Sequence, residues 1–269
     1  FVGKKLVSQL INRGHEVSIL TRDTEIARKR LPMDCKFHKW EPELYPPSSK
    51  AFDGVNAVVH LAGENIADGR WSESRKNKIK DSRVLSTRNL VSTLKSIENP
   101  PDTFVSASAV GFYGKDKPVE LYEDLGPGKD FLADVCKEWE HEAFAARDHN
   151  IRTIALRIGI VLGYEGGAIK KMLPPFWAGV GGTLGDGNQW MSWIHIKDLV
   201  GMIIHSLENK TMQGAYNATS PDPVTNKAFT KCLAKVLRRP AILPVPKLAL
   251  KIILGEMSDL LLGSLKVSS

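Results

Sequence analysis

The chain alternates. Short β-rich apolar runs end in small-residue turns, and each is followed by a segment with helical periodicity. "VNAVVHLAG" is such a run, the charged stretch from Ser72 to Ser96 is a long helix, and "TFVSASAVG" is the next strand and turn. Before them, Leu6, Leu10 and Ile11 share one helical face, Gly14 is a stop signal, and "EVSIL" begins a strand. After them come the helix of "FLADVCKEWE" and the strand of "IRTIALRIGIVLG". Strands and helices of this length in strict alternation predict an α/β fold, a Rossmann-type doubly wound parallel sheet with both faces covered. Ligands in such sheets bind beyond the carboxyl ends of the strands, here "LTR", "HLAG", "SASAVG" and "RIGIVLG".

Past Gly163 the chain becomes rich in Gly and Trp ("WAGVGGTLGDGNQWMSWIH"), then returns to a short helix, a strand "AYNATS" and further helical patterns. This predicts a dinucleotide-binding domain over 1–162 and a smaller substrate lobe over 163–269, some of whose elements rejoin the main sheet. The loop "GGTLGDGNQW" is expected to be a mobile wall of the substrate cleft, with Trp190 and Trp193 as apolar lining.

Composition narrows the function classes. The net charge is +7, but Lys and Arg are spread through a chain with 30 acidic residues and no basic run is interleaved with aromatics, so no nucleic-acid partner is expected. No apolar run reaches spanning length, and Lys251 and Glu256 interrupt the last one, so no membrane role is expected. Cys35, Cys136 and Cys232 are odd in number and lack C-x-x-C spacing, which argues against a disulfide framework or a metal site and for a reducing, cytoplasmic setting. No signal peptide is visible at the start. The histidines lack metal or triad spacing, and His60 reads as a packed strand-end residue.

The opening "FVG" resembles the end of the G-x-x-G-x-x-G turn of an extended short-chain dehydrogenase/reductase, with Gly3 as its last glycine. "HLAGENI", "SRVLSTRNL", "SASAVGFYG", "DFLADVCKEWE", "RIGIVLGYEGGA", "WMSWIHIKDLV", "YNATSP" and "LPVPKLALKIILGE" follow in the order of one atypical subgroup. These are the YfcH-like "epimerase family" proteins of the NAD-dependent epimerase/dehydratase superfamily, some labelled cell-division inhibitors. The resemblance implies that the family's first strand precedes Phe1 and that a further segment follows Ser269. It also implies an NADP(H) cofactor contacted by Gly3, Thr21, Arg22, Leu61, Ala62, Gly63, Arg83, Ser108 and Val161. Arg22 stands where an arginine suits an adenosine 2′-phosphate and an acid would suit a 2′-hydroxyl.

Superfamily members exchange a proton through a Tyr-x-x-x-Lys pair beside a Ser and an Asn. The register of "FLADVCKEWE" puts Leu132 at the Tyr position and Cys136 at the Lys position, with Arg83 in place of the Asn. Three residues remain as candidates for acid/base work. Ser108 is either a carbonyl or alkoxide hydrogen-bond partner or a plain polar turn residue. Tyr113 is the nearest spare phenol, with packing as its other reading. Cys136 is either a thiolate made by a nearby cation such as Arg83 or a small buried residue. Glu123 and Asp124 read as solvated loop carboxylates. Two functions follow: an NADP-dependent oxidoreductase or epimerase-like enzyme with a non-standard site, or an NADPH-binding sensor module without catalysis. The sequence leaves the small-molecule substrate and the oligomeric state open.

Overall fold

The computed structural model describes residues 1–31, 34–115, 117 and 119–269. Its first half runs α1 (Val2–Asn12), β1 (Val17–Thr21), α2 (Thr24–Arg30), β2 (Cys35–Lys39), β3 (Ala57–His60), α3 (Glu73–Ser96), β4 (Thr103–Ala109), β5 (Glu120–Leu121), α4 (Phe131–Phe144) and β6 (Arg152–Ile158). Then come β7 (Ile160–Gly163), α5 (Gly167–Trp177), β8 (Trp190–Met191), β9 (Trp193–His195), α6 (Ile196–Glu208), β10 (Gly214–Ala218), β11 (Val224–Thr225) and α7 (Asn226–Leu237). The chain closes with α8 (Lys247–Leu254), α9 (Ser258–Leu262) and β12 (Lys266–Val267).

The main sheet is parallel and has the order β10-β6-β4-β3. Its centre, β4, is buried at six of seven positions, as expected of a strand covered on both faces. β1 and β2 form a second parallel ladder that shares no hydrogen bond with β3. The two ladders nevertheless share a core, because Leu20 of β1 and Val58 of β3 pack on one cluster with Phe52, Leu90, Leu94 and Phe104. The other face of the main sheet is covered by α6, whose Leu199, Val200, Ile203 and Ile204 meet Val105, Ile154 and Leu156.

Side-chain caps set several helix starts. Asp23 accepts from the amide of Ile26, Ser72 from Arg75 and Asp130 from Ala133, each satisfying an amide that the first helical turn leaves unpaired. His60 is buried at the end of β3, Nε2 lies 3.3 Å from Ser86 Oγ, and burial lowers its pKa to about 4. Its ring packs between those of Trp40 and Phe104. Among the described residues no helix is long and apolar enough to cross a membrane.

Candidate active site

The predicted cofactor residues fall into three groups. Gly3 lies in the first turn of α1, where an added Cβ would meet nothing within 4 Å and Phe1 gives no side-chain cap. Val2, Leu61 and Val161 all pack against the α6-facing core, so the start of α1, the exit of β3 and β7 converge on one cluster. Val161 itself pairs with Ile194 of β9 in a separate short ladder.

The second group is the tip of β1. Thr21 Oγ1 bonds the backbone of Asp23, and the Asp23 carboxylate caps α2 at 2.8 Å from the Ile26 amide. Arg22 between them is exposed and makes no ion pair among the described residues. The acid is committed to its helix, and the guanidinium is left to solvent.

The third group joins Gly63 to Arg83. A Cβ on Gly63 would lie 3.3 Å from the guanidinium carbon of Arg83. That guanidinium donates to the carbonyls of Ile79 and Glu64 at 3.0 Å each and stands over the Trp139 ring at 5.3 Å. Its burial works against its charge and lowers its pKa.

The candidate proton-handling residues meet around a pair that the sequence reading did not single out. Arg157 of β6 holds Glu140 of α4 at two points, Nε to Oε1 at 2.9 Å and Nη2 to Oε2 at 3.0 Å. Ser108 donates to the same Oε1 at 2.6 Å. Arg157 Nη1 donates to the Tyr113 hydroxyl at 2.9 Å, and that hydroxyl donates to Asn217 Oδ1 of β10 at 2.7 Å. Asn217 passes the chain on to the Ser268 carbonyl. Each polar atom in this series has found a protein partner, as buried polar groups must.

Three of the sequence readings narrow accordingly. Cys136 is 4% exposed and its thiol is pushed up to about 12, first by burial and then by the nearby Glu140 charge, against a smaller pull from Arg83. It is a thiol in a core with Phe112, Tyr113, Leu121 and Val267, which agrees with the buried-residue reading and not with the thiolate one. Tyr113 is fully buried, its pKa raised by burial, and its hydroxyl sits between Arg157 and Asn217 instead of facing a cleft. Glu123 is not simply solvated, since it accepts from the Asn217 amide at 2.8 Å.

A signal for the missed pair was available. Glu140 follows Cys136 by one helical turn and so lies on the buried stripe of α4, and Arg157 is the lone charge inside "IALRIGI". The glycine-rich loop before β8 is tied down, with Gln189 donating to the Leu184 and Leu261 carbonyls and the Trp190 amide to Ser264 Oγ. Among the described residues no cluster of three His, Cys, Asp or Glu could hold a metal.

The model of the NAD dependent epimerase/dehydratase family matches residues 1–219. The chain belongs to this family. It is 39% identical over 99% of its length to the Arabidopsis thaliana chloroplastic homolog of epimerase family protein SDR39U1, covering 77% of that protein. With epimerase family protein YfhF of Bacillus subtilis it shares 37% identity over 97% of its length and 84% of that relative's. The crystal structure of human epimerase family protein SDR39U1 with NADPH superimposes with a TM-score of 0.86 at 32% identity, covering 100% of this chain and 88% of the human one. The Rossmann-type fold expected from the alternation is therefore the fold of this family.

Proposed function

We propose that this family member is an NADP(H)-binding short-chain dehydrogenase/reductase, oxidoreductase or epimerase-like in its chemistry, whose substrate site works without the Tyr-x-x-x-Lys relay. The observation that carries the cofactor choice is the tip of β1, where Asp23 is spent on capping α2 and Arg22 stands free. A 2′-hydroxyl would need the acid as acceptor; a 2′-phosphate needs the cation. The NADPH present in the human relative's structure supports the same choice.

The residues present fit a dinucleotide elsewhere too. Gly3 lies in the first turn of α1 and an added Cβ there would meet nothing within 4 Å, so a phosphate can come close to the aligned N–H groups of that turn. Gly63 lets the Arg83 guanidinium lie against the backbone after β3, where it donates to the Glu64 carbonyl and places its charge beside that strand end. Once bound, the nicotinamide would supply or take a hydride, and the protein's part is to orient the reactants and exclude water. Ser108 directs its only proton at Glu140, so its oxygen offers lone pairs rather than a proton.

A second reading, a cofactor-binding module without turnover, is favoured by one observation. Neither Cys136 nor Tyr113 is placed to take over the missing dyad. The two readings separate on hydride transfer: full-length protein with deuterated NADPH and a panel of small carbonyls and nucleotide sugars loses label only if it is an enzyme.

The cofactor proposal is tested by fluorescence titration. Arg22→Ala should weaken NADPH binding about tenfold or more, the value of a charge-assisted hydrogen bond, while leaving NADH binding unchanged. Equal affinity of the unaltered protein for the two cofactors would reject it.

A further inference from the structure

Between Asp222 and Glu256 the chain has no acidic residue and seven basic ones: Lys227, Lys231, Lys235, Arg238, Arg239, Lys247 and Lys251. Seven is the net charge of the whole chain. Elsewhere acids and bases cancel, so the excess is concentrated in α7, α8 and the loop joining them. All seven side chains are exposed, and among the described residues only Lys247 of the seven forms a salt bridge, with Asp186.

The same segment exposes its largest aliphatic side chains. Val236 is 72% exposed, Ile242 82%, Leu243 65%, Leu248 69%, Ile252 64% and Ile253 63%. Leu248 and Ile252 stand one turn apart on α8, with Lys251 beside them. The loop is fixed against the neighbouring strand-like segment: the amide of Val245 donates to the Thr183 carbonyl at 2.8 Å, and a Cβ on Gly182 would collide with the Leu243 carbonyl.

We propose that α7, α8 and their connecting loop form a peripheral docking surface for an anionic phospholipid bilayer. Exposed aliphatic side chains interspersed with Lys and Arg are what a surface needs to sink a few side chains into the acyl boundary while its cations meet headgroup phosphates. Long basic side chains reach outward past such apolar neighbours, which lets both contacts form at once. The composition favours lipid over the other anionic partners. From 223 to 255 the one aromatic residue is the half-buried Phe229, so the stacking surfaces of a nucleic-acid groove and the Tyr and Trp anchors of a protein hot spot are both missing there. Interruption of the apolar sequence by Lys251 speaks against a spanning helix; on a folded surface the same lysine is part of the proposed binding face.

The test is vesicle flotation with the full chain, using phosphatidylcholine vesicles with and without about 30 mol% phosphatidylglycerol. Binding should require the anionic lipid and weaken at least about tenfold as NaCl rises from about 0.1 to about 0.5 M. Leu248→Glu/Ile252→Glu/Ile253→Glu and, separately, Lys235→Glu/Arg238→Glu/Arg239→Glu should each abolish flotation while retaining the near-UV circular dichroism of the parent. The charge-reversed variant keeps the test decisive if the apolar one misfolds. Flotation that is indifferent to both variants, or that needs no anionic lipid, overturns the proposal. So does a solution dimer that the apolar variant dissociates, or tighter binding to duplex DNA or polyglutamate than to the vesicles.

Discussion

Arg157 and Glu140 face each other across the α4–β6 boundary as a two-point ion pair with both side chains 6% exposed. Burial alone would lower the pKa of Arg157, but the Glu140 hydrogen bond and charge, with Tyr113, outweigh it and raise the value. Removing one partner leaves the other charge buried and alone. Arg157→Met should therefore cost about 3–5 kcal/mol in urea unfolding. Adding Glu140→Leu should return much of that loss, because two apolar side chains can replace a buried pair at little cost. A double variant no more stable than Arg157→Met would show that the network holds the fold through something other than charge compensation.

How much of this was legible in the sequence depended on range. The alternation predicts α3, β4, α4 and β6 because each is written in its own periodicity. The caps at Asp23, Ser72 and Asp130 are local as well. Ser108, Tyr113 and Cys136 were found as residue types near a strand tip, but their partners come from elements up to 104 positions away, as in Tyr113 with Asn217. No local pattern reports that a phenol is closed in by a distant amide, or that the carboxylate one turn from a thiol is held by an arginine of the next strand. Arg22 was readable from its place at the strand tip, whereas only the cap geometry shows the neighbouring Asp23 turned toward α2.

His60 gives the protein an acid-sensitive core. Its folded pKa of about 4 lies below the ordinary 6.5, so the unfolded chain binds the extra proton first. The stabilising contribution is complete above pH 6.5 and is lost progressively as pH falls toward 4, reaching about 3 kcal/mol below that. His60→Phe, which cannot titrate, should flatten the dependence of melting temperature on pH between about 6.5 and 4. An unchanged slope would place the acid sensitivity elsewhere.

Restoring the family dyad should fail for a packing reason. A Cβ on Gly111 would lie 3.4 Å from Leu132 Cβ and 3.8 Å from Cys136 Sγ, so α4 rests directly on the turn after β4. A lysine at 136 would bury its ammonium among Phe112, Leu121 and Val267. Cys136→Lys, alone or with Leu132→Tyr, is expected to lose about 3–5 kcal/mol and to add no turnover. The thiol itself should react with a disulfide reagent only when the core opens, whereas exposed Cys232 reacts at once. Mass spectrometry of partly labelled protein checks this, and comparable rates at the two cysteines would contradict the buried placement.

Gly63 offers the sharpest separation of cofactor binding from folding. Its φ is not in the left-handed range, so Ala is compatible with the backbone, and the only obstacle is the Arg83 guanidinium 3.3 Å from the new methyl. That guanidinium is anchored by the Ile79 and Glu64 carbonyls and by Trp139, so it can give way only by loosening these contacts. Gly63→Ala should cost about 1 kcal/mol in stability, the low end of overpacking, and reduce NADPH affinity by more than that loss accounts for. Arg83→Lys keeps the charge but not the planar fork that spans two carbonyls and the ring, and should weaken NADPH binding while relieving the contact with an alanine at 63. In a double-mutant cycle the stability losses should then be less than additive. Full additivity would mean that the Arg83 guanidinium does not set the space available at position 63.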